Sequence, residues 1–374
     1  MKIILTGATG VLGSHIMYEI LELFINTKIE GKLFLIARNK GKIAAVDRIN
    51  ELLSSNYTPK ILRDKGITKL HEYLEVIDTD LASIHVDFSD NIKGAYFIHS
   101  AGYVNLSTDE VHQDKIFDEN TTVTKNIFNL FHPFIKKFIY IGTAFSSGER
   151  KGLIDNDFHN LDFIPEHRNA YENAKFHSEN FIADQCKAIG LPYQILRPSV
   201  IGGKMLSEEN NYFISKYMVF YLLAKFFHFT AQRRNEQENV RFIINEDTGL
   251  NIIPVDYVAK VIVKTFQRND ILQLNIVNDK SFKFSKGLQL IMKEVGYTNF
   301  TLIKNMVDFE YKNTIEKLYY ESIGKHLKPY FITAPNEYDT TLLNSILEIP
   351  KIDNEAFTNM IRYAKLNNFK DINV

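Results

Sequence analysis

A glycine-rich turn close to the N terminus constrains the fold of this chain more than any other feature. An apolar run at residues 2–5 leads into Gly7, Gly10 and Gly13, and an apolar-periodic segment begins at Val11. Glycine permits a tight turn, lets backbone N–H groups approach a pyrophosphate and lets a helix pack close to a strand. The helix N terminus adds positive potential for phosphates. This order predicts a dinucleotide-binding site; the alternative is a structural turn in another α/β protein.

Short apolar runs alternate with longer helical patterns over the first two thirds of the chain. Strands are predicted at Lys2–Leu5, Lys32–Ala37, Tyr73–Ile77, Ala95–His99, Lys137–Ile141 and Pro192–Leu196, and helices at Val11–Phe24, Ile43–Leu53, Thr121–Leu130 and Glu172–Ile189. Continuous apolar strands separated by helices indicate a Rossmann-type, doubly wound parallel sheet of the α/β class. The predicted domains are a dinucleotide-binding domain at 1–203, to which 251–280 return, and a smaller, mainly helical C-terminal substrate-binding lobe at 204–250 and 281–374.

The composition excludes several classes of function. With 44 Lys and Arg against 45 Asp and Glu, the net charge of −1 gives no electrostatic footprint for nucleic acid or an anionic membrane. The single cysteine, Cys186, excludes an intrachain disulfide and a cysteine-based zinc site, and it fits a reducing cytosol. No apolar run is long enough to span a membrane, and no targeting segment is visible. We therefore expect a cytoplasmic protein without a metal site.

Basic residues follow the second predicted strand. Arg38 comes directly after Ala37, Lys40 and Lys42 follow, and Arg48 lies further along. NAD-binding chains usually place Asp or Glu here for the ribose 2′-hydroxyl, whereas cations suit the 2′-phosphate of NADP(H). The pattern favours NADP(H), bound by Arg38 and Arg48; the alternative is that both are solvated surface charges.

Tyrosine–lysine pairs with helical spacing are candidates for proton transfer, because both side chains share one helix face and the ammonium can lower the pKa of the phenol. Three pairs have this spacing: Tyr171/Lys175, Tyr212/Lys216 and Tyr221/Lys225. Only Tyr171/Lys175 opens the helix after a strand that ends in a hydroxyl, that of Thr143. The other two lie in an aromatic segment and are interpreted as packing tyrosines beside surface lysines.

These motifs resemble the extended short-chain dehydrogenase/reductase superfamily, and most closely its thioester reductase or fatty acyl-CoA reductase branch, which has a male sterility-type NAD-binding domain. The resemblance runs from Met1 to about Val295 and implies Thr143, Tyr171 and Lys175 as the catalytic residues. It implies that these three also contact the cofactor, together with Gly7, Thr9, Gly10, Val11, Leu12, Gly13, Arg38, Arg48, Asp80, Leu81, Ser100, Ala101, Gly102, Pro198, Ser199 and Val200.

Two departures from the family pattern stand beside the matching residues. Gly142 replaces the usual Ser before Thr143, and Ala174 replaces the usual Ser before Lys175, whereas Asn120 and Glu179 match positions of the family. No adenylation or carrier domain is visible. A thioester substrate is therefore expected to arrive on CoA or on a separate acyl carrier protein; the alternative is that the substrate is not a thioester.

Eight aromatic residues cluster between Tyr212 and Phe229. Phe213, Tyr217, Phe220 and Tyr221 have the spacing of one helical face. A helix that is apolar nearly all round either is buried in a core or lines an apolar channel. We expect Phe220 and Tyr221 to line a channel for an acyl or aryl substrate; the alternative is that they form core.

Together these features predict an NADPH-dependent reductase that converts an acyl thioester to an aldehyde or an alcohol. Hydride passes to the carbonyl carbon, Tyr171 donates the proton, Lys175 lowers the pKa of Tyr171 and holds the nicotinamide ribose, and Thr143 binds the carbonyl oxygen. The alternatives are an NADP-dependent ketone or aldehyde reductase, a sugar-nucleotide epimerase or dehydratase of the same superfamily, and a non-catalytic NADP(H) sensor.

Overall fold

The strand before the glycine turn is an inner strand of a seven-stranded parallel sheet. The computed structural model describes residues 1–27, 29–81, 89–157, 165–233, 237–304 and 310–372. Its strands are β1 (Lys2–Thr6), β2 (Lys32–Ala37), β3 (Leu74–Asp78), β4 (Ala95–His99), β5 (Ile135–Ile141), β6 (Gly152–Ile154), β7 (Tyr193–Pro198), β8 (Val200–Gly202), β9 (Val240–Ile243), β10 (Gly249–Leu250), β11 (Ile252–Pro254), β12 (Gln273–Ile276), β13 (Phe282–Lys283), β14 (Phe300–Ile303) and β15 (Asn336–Tyr338). Its α-helices are α1 (Val11–Thr27), α2 (Ala45–Ser54), α3 (Lys60–Lys65), α4 (Ile67–Leu70), α5 (Ser89–Ile92), α6 (Gln113–Phe117), α7 (Val123–Phe131), α8 (Ala170–Ile189), α9 (Phe220–Arg233), α10 (Val255–Thr265), α11 (Phe284–Val295), α12 (Thr314–Tyr319), α13 (Lys325–Ile332), α14 (Thr341–Ile346) and α15 (Asn354–Leu366).

The strand order creates a crevice at the carboxyl ends of β1 and β4. The sheet runs β12-β7-β5-β4-β1-β2-β3, and all neighbouring strands in it are parallel. The chain winds outward from β1 to β3 on one side and from β4 to β12 on the other, so the order reverses between β1 and β4. Doubly wound proteins bind ligands where the loops diverge at such a point. The predicted Rossmann-type α/β fold is confirmed.

Helices cover both faces of this sheet. Ile3 and Leu5 belong to a core that includes α1 and α10, whereas Ile4 belongs to a core on the opposite face that includes α7 and α8. Successive side chains of a strand point to opposite faces. Residues 3–5 of β1 are all apolar because each face of the sheet has its own core.

The predicted elements of this region have nearly the bounds expected, and β2 and β4 have the predicted bounds. The helix that bears Tyr171 begins slightly earlier than predicted, because the Asn169 side chain caps it by accepting a 3.0 Å hydrogen bond from the N–H of Glu172. It ends at Gly190, whose left-handed conformation (φ 69°) closes the last turn. The Tyr171/Lys175 pair therefore lies in the first two turns of a capped helix.

The aromatic segment differs from the prediction in its first half. Its helix, α9, begins at Phe220. Tyr212 (φ 66°) and Val219 (φ 52°) have left-handed backbone conformations that interrupt a helix. The prediction of one helical face is therefore wrong for Phe213 and Tyr217, which precede α9.

A third core lies among the helices that follow the aromatic segment. Phe220 and Tyr221 belong to it, and the other contributing helices include α11, α13 and α15. The boundaries of a substrate-binding lobe at 204–250 and 281–374 stay a prediction. Within the described ranges, no helix is both long enough and apolar enough to cross a membrane.

Candidate active site

A cleft of about 660 Å³ lies over the carboxyl ends of the strands, at the crevice between β1 and β4. Every predicted catalytic and cofactor-binding residue lines it. They are Gly7, Thr9, Gly10, Val11, Leu12, Gly13, Arg38, Arg48, Asp80, Leu81, Ser100, Ala101, Gly102, Thr143, Tyr171, Lys175, Pro198, Ser199 and Val200. The fold therefore gathers into one concave site residues that come from six strand ends and from the first two turns of α1, α2 and α8.

The glycine turn packs against the loop after β4. Gly7 has a positive φ of 76°, and a Cβ there would lie 2.7 Å from the backbone nitrogen of Ala101. At Gly13 a Cβ would lie 1.9 Å from the carbonyl oxygen of Gly7, so α1 starts in direct contact with the turn. The Thr6 hydroxyl accepts a 3.1 Å hydrogen bond from the Ala101 N–H. Only glycine leaves this approach open, as a turn that binds a pyrophosphate requires.

The two arginines at this end of the cleft have different environments. Arg38 is exposed and forms a 3.1 Å ion pair with Asp80, which follows β3. Arg48 is buried; it donates hydrogen bonds of 2.7 Å to the carbonyl oxygen of Arg38 and of 2.9 Å to the Thr9 hydroxyl. Burial and the neighbouring Arg38 lower the pKa of Arg48. Arg48 thus ties the glycine turn to the end of β2 and is not a solvated surface charge.

The Lys175 ammonium is fixed beside the end of β5. It donates hydrogen bonds of 3.0 Å to the Tyr140 hydroxyl and of 2.8 Å to the carbonyl oxygen of Ile141. A Cβ at Gly102 would lie 3.5 Å from Lys175 Nζ and 3.1 Å from Asn120 Oδ1, so these groups meet at the cleft floor.

Asn120 holds the loop after β4 in place. Its side chain accepts from the Tyr103 N–H at 3.1 Å and donates to the carbonyl oxygens of Tyr103 and Ile116. It lies in a π-helical turn at Asp118–Thr122, between α6 and α7. Such turns inside helices are frequent at functional sites, and here the turn carries a residue that positions the cleft floor.

The pKa of Tyr171 is raised, whereas the sequence led us to expect that Lys175 would lower it. Burial raises this pKa, and the Lys175 ammonium only partly opposes the rise. Burial also lowers the pKa of Lys175. The phenol is therefore protonated at neutral pH, which is the form that a proton donor needs.

Thr143 follows β5 and is held by a buried carboxylate. Its N–H donates to Glu179 Oε1 at 3.4 Å, and Glu179 forms a 2.6 Å ion pair with Arg197, with neither side chain exposed. A Cβ at Gly142 would lie 2.1 Å from Glu179 Oε1. The Gly that replaces the usual Ser is therefore needed in this chain because the Glu179 carboxylate occupies the space.

Sequence analysis missed a buried polar cluster next to Tyr171. Arg168 forms an ion pair of 3.0 Å with Glu172, and Glu172 has no exposed side-chain surface. The Tyr330 hydroxyl donates to Glu172 Oε1 at 2.7 Å, and the Asn169 amide donates to that hydroxyl at 2.7 Å. The i, i+4 spacing of Arg168 and Glu172 is visible in the sequence. Nothing local signals Tyr330, which comes from α13.

Phe220 and Tyr221 do not line this cleft. Tyr221 is buried, and its hydroxyl accepts a hydrogen bond of 3.1 Å from the Gly203 N–H. The aromatic segment reaches the cleft through other residues, which are Ile214, Ser215, Lys216, Met218 and Val219. Facing them are Leu250 and Tyr330. The part of the segment that lines the cleft thus precedes α9, and the expected role of Phe220 and Tyr221 in a substrate channel stays a prediction.

No three or more His, Cys, Asp and Glu side chains of the described residues are grouped so that they could hold a metal ion.

A doubly wound sheet with this glycine turn and with a Tyr–Lys pair in the cleft is the arrangement of an extended short-chain dehydrogenase/reductase, and the match to a family model assigns the chain to the thioester reductase branch. The chain belongs to the male sterility protein family, whose model matches residues 5–262.

Similar proteins extend this comparison. A putative fatty acyl-CoA reductase of Drosophila melanogaster is 24% identical over 236 residues, which are 54% of this chain and 41% of that protein. The chain therefore matches less than half the length of this curated relative. The terminal R domain of the myxalamid PKS-NRPS pathway has a TM-score of 0.69 at 19% identity and covers 98% of this chain and 91% of its own. UDP-glucuronic acid 4-epimerase from Bacillus cereus, solved with NAD, has a TM-score of 0.61 at 16% identity, covering 98% and 97%. Both structures share the fold.

Proposed function

We propose that the protein is an NADPH-dependent reductase of an acyl thioester. The observation that carries the proposal is the arrangement along one cleft: a glycine turn and two arginines at one end, and Thr143, Tyr171 and Lys175 at the other. Family membership supports an oxidoreductase of the extended short-chain class. The preference for NADPH and the thioester substrate go beyond family membership and are our proposal.

The residues of the cleft fit a dinucleotide with a 2′-phosphate. Gly7 and Gly13 leave the space that a pyrophosphate needs, and Arg38 and Arg48 bring two guanidinium groups to the end of β2. Ser100 to Gly102 and Pro198 to Val200 would hold the nicotinamide end, with Lys175 on the ribose. Bound NADPH supplies the hydride.

Side chains of the protein donate the proton to the substrate and bind its carbonyl oxygen. Tyr171 is protonated at neutral pH and donates its proton to the carbonyl oxygen as negative charge builds there. The Lys175 ammonium stabilises the phenolate that remains. Thr143 donates a hydrogen bond to the same oxygen. With a thioester, the product of this step is a thiohemiacetal, which releases the thiol as its carbon–sulfur bond breaks and the aldehyde forms.

The wall above these residues favours a hydrophobic acyl group. Ile214, Met218, Val219 and Leu250 line it. The Drosophila relative is described as a putative fatty acyl-CoA reductase, and the myxalamid domain is a terminal R domain. We propose that the acyl group arrives on CoA or on an acyl carrier protein.

The same cleft is compatible with three alternative functions. The likeness to UDP-glucuronic acid 4-epimerase concerns the fold, and an epimerase or an ordinary ketone reductase would use the same Tyr171 and Lys175. The arginines at the end of β2 and the apolar wall favour the reductase of an acyl group. A non-catalytic sensor is disfavoured because both catalytic side chains are present and held.

One assay separates these alternatives. NADPH oxidation and free thiol are followed together with acyl-CoA, acyl-carrier, ketone and UDP-sugar panels. We expect NADPH loss to be accompanied by thiol release on a thioester, with NADH much less effective. Oxidation without thiol release would contradict the thioester substrate, and epimerisation without net oxidation would favour the epimerase.

A further inference from the structure

A second cavity lies beside the catalytic cleft. It has a volume of about 30 Å³ and is lined by side chains of α9, α11, α13 and α15, by Val219 just before α9, and by residues of β10, β11 and β13. Its lining is apolar apart from Lys283 and Tyr330, and it includes Phe220, Leu223, Phe284, Leu288, Phe331 and Phe357. A lining of this kind offers water few hydrogen-bond partners.

Three residues separate the cavity from the cleft. Val219, Leu250 and Tyr330 line both spaces, so only one layer of side chains lies between them. Tyr330 is fixed by its hydrogen bonds to Glu172 and Asn169. Val219 is half-buried and has a φ of 52°, which is rare for a β-branched residue and stores backbone strain. Val219 and Leu250 have no side-chain polar groups to anchor them, unlike Tyr330, so their side chains are the parts of this partition that can move apart.

We propose that this cavity accepts the methyl end of an unbranched aliphatic chain whose reactive carbonyl lies at Thr143 and Tyr171. The proposal rests on the proposed function, because it assumes that the substrate carbonyl lies in the cleft. The chain passes between Val219 and Leu250, and the apolar lining replaces water around its last carbons. The cavity holds about two water-sized groups, on the scale of about 10–15 Å³ for one. It thus sets the length of the chain that fits best.

The expected dependence on chain length follows from the hydrophobic effect. Each methylene group that enters an apolar site strengthens binding about fourfold, until the cavity is full. Carbons beyond that length have to force core side chains apart, so affinity stops rising or falls. The protein should therefore have a sharp optimum in chain length and no preference for charged or branched ends.

Gly287 allows the cavity to be made smaller without strain. It lines the cavity on α11, and a Cβ there would meet its nearest neighbours at 3.6–3.8 Å, which is ordinary contact. Gly287→Ala should therefore fold well and shift the optimum to a chain shorter by about one carbon. Leu223→Ala removes three carbon atoms from the wall and should shift the optimum to a longer chain.

The test measures binding of straight-chain primary alcohols of increasing length to the whole protein in the presence of NADP⁺, by calorimetry. Leu222→Ala is the matched control, since Leu222 precedes Leu223 on α9 but is exposed. We expect opposite shifts for Gly287→Ala and Leu223→Ala and no shift for Leu222→Ala. If Leu223→Ala fails to fold, the shift of the optimal chain length in Gly287→Ala is by itself sufficient to test the proposal. An unchanged optimum in Gly287→Ala would overturn the proposal.

Failure of the two proposals can be told apart. Alcohol binding does not require thioester reduction. A shift in the optimal chain length without NADPH oxidation on any thioester would therefore support the proposed role of the cavity and contradict the proposed thioester reductase. Reduction of thioesters by NADPH with the same chain-length profile in Gly287→Ala and the wild type would support the proposed reductase and contradict the proposed role of the cavity.

Discussion

The Tyr330 hydroxyl donates a 2.7 Å hydrogen bond to Glu172, which lies 158 positions earlier in the chain and directly follows Tyr171. This bond joins α13 to the first turn of the helix that carries Tyr171 and Lys175. The Arg168 guanidinium lies 4.7 Å from the centre of the Tyr330 ring, so an ion pair, a phenol and an aromatic face form one buried unit. The position of Tyr171 thus depends on a distant segment.

Tyr330→Phe should destabilise the protein. The variant keeps the ring but removes the donor to the buried Glu172 carboxylate and the acceptor for Asn169, and a lost buried hydrogen bond to a charged group costs about 1–3 kcal/mol. Urea unfolding measures the loss. Tyr311→Phe is the control, because Tyr311 is exposed and such changes stay within about 0.5 kcal/mol. Equal stability of the two variants would show that the cluster does not hold α13 on α8.

Tyr171→Phe should abolish turnover without loss of the cofactor. General acid catalysis typically contributes about 10²- to 10⁴-fold, so kcat should fall by at least about 100-fold. Binding of NADPH, followed by its fluorescence, should stay within about twofold, since the ring still fills its place. Tyr212→Phe is a matched control because Tyr212 also precedes a lysine by four residues but lies outside the cleft lining. Retained turnover in Tyr171→Phe would exclude the proposed proton donor.

Arg38→Ala should weaken NADPH more than NADH. The side chain is exposed, so its removal leaves the fold intact while one charge-assisted contact to the 2′-phosphate is lost, and such a contact is worth about 10- to 100-fold in affinity. Calorimetric titration with both dinucleotides gives the two Kd values. Lys42→Ala is the control, since Lys42 is exposed and is not among the cleft residues. An equal loss for NADPH and NADH would contradict recognition of the 2′-phosphate by Arg38.

Local patterns in the sequence predicted the sheet and the residues that share one cleft, because both depend on neighbouring residues. The glycine turn, the apolar strands and the Tyr171/Lys175 spacing each lie within one short segment. The role of Tyr330 depends on a contact between distant segments, and no local pattern encodes it. The start of α9 at Phe220, rather than earlier in the aromatic segment, depends on left-handed conformations at Tyr212 and Val219, which their side chains do not favour.

Gly142→Ala should destabilise the protein far more than Gly287→Ala. A methyl group at position 142 would lie 2.1 Å from Glu179 Oε1 and would disrupt the buried pair with Arg197, at a cost of about 3–5 kcal/mol. At Gly287, in a helix with room for a Cβ, alanine should stabilise by about 0.5–1 kcal/mol. Thermal and urea unfolding of both variants check the contrast. Similar stabilities would mean that Glu179 can leave its position, and that the departure from the family's Ser has another cause.

Acid should destabilise the fold through two buried histidines. Burial, with a smaller contribution from Lys175, lowers the pKa of His99 to about 3, and burial with Lys204 does the same for His15. The Thr124 hydroxyl donates to the carbonyl oxygen of Asn120, so it accepts from His99 Nε2, and His99 Nδ1 accepts from Thr6. His99 is therefore neutral in the folded state.

The sign follows from proton binding. Between pH 6.5 and 3 the unfolded chain binds a proton at each of these histidines that the folded chain does not, so the free energy of unfolding falls as the pH falls. At pH 5 the loss is about 2 kcal/mol for each histidine relative to neutral pH.

His99→Gln should remove one such contribution from the pH dependence of the free energy of unfolding, whatever the stability of the variant at neutral pH. His112→Gln, at an exposed position, should leave the slope unchanged. Glu19, whose pKa burial raises to about 7, contributes a slope of the opposite sign that cancels in the comparison. Equal slopes for His99→Gln and the wild type would show that His99 is protonated in the folded protein.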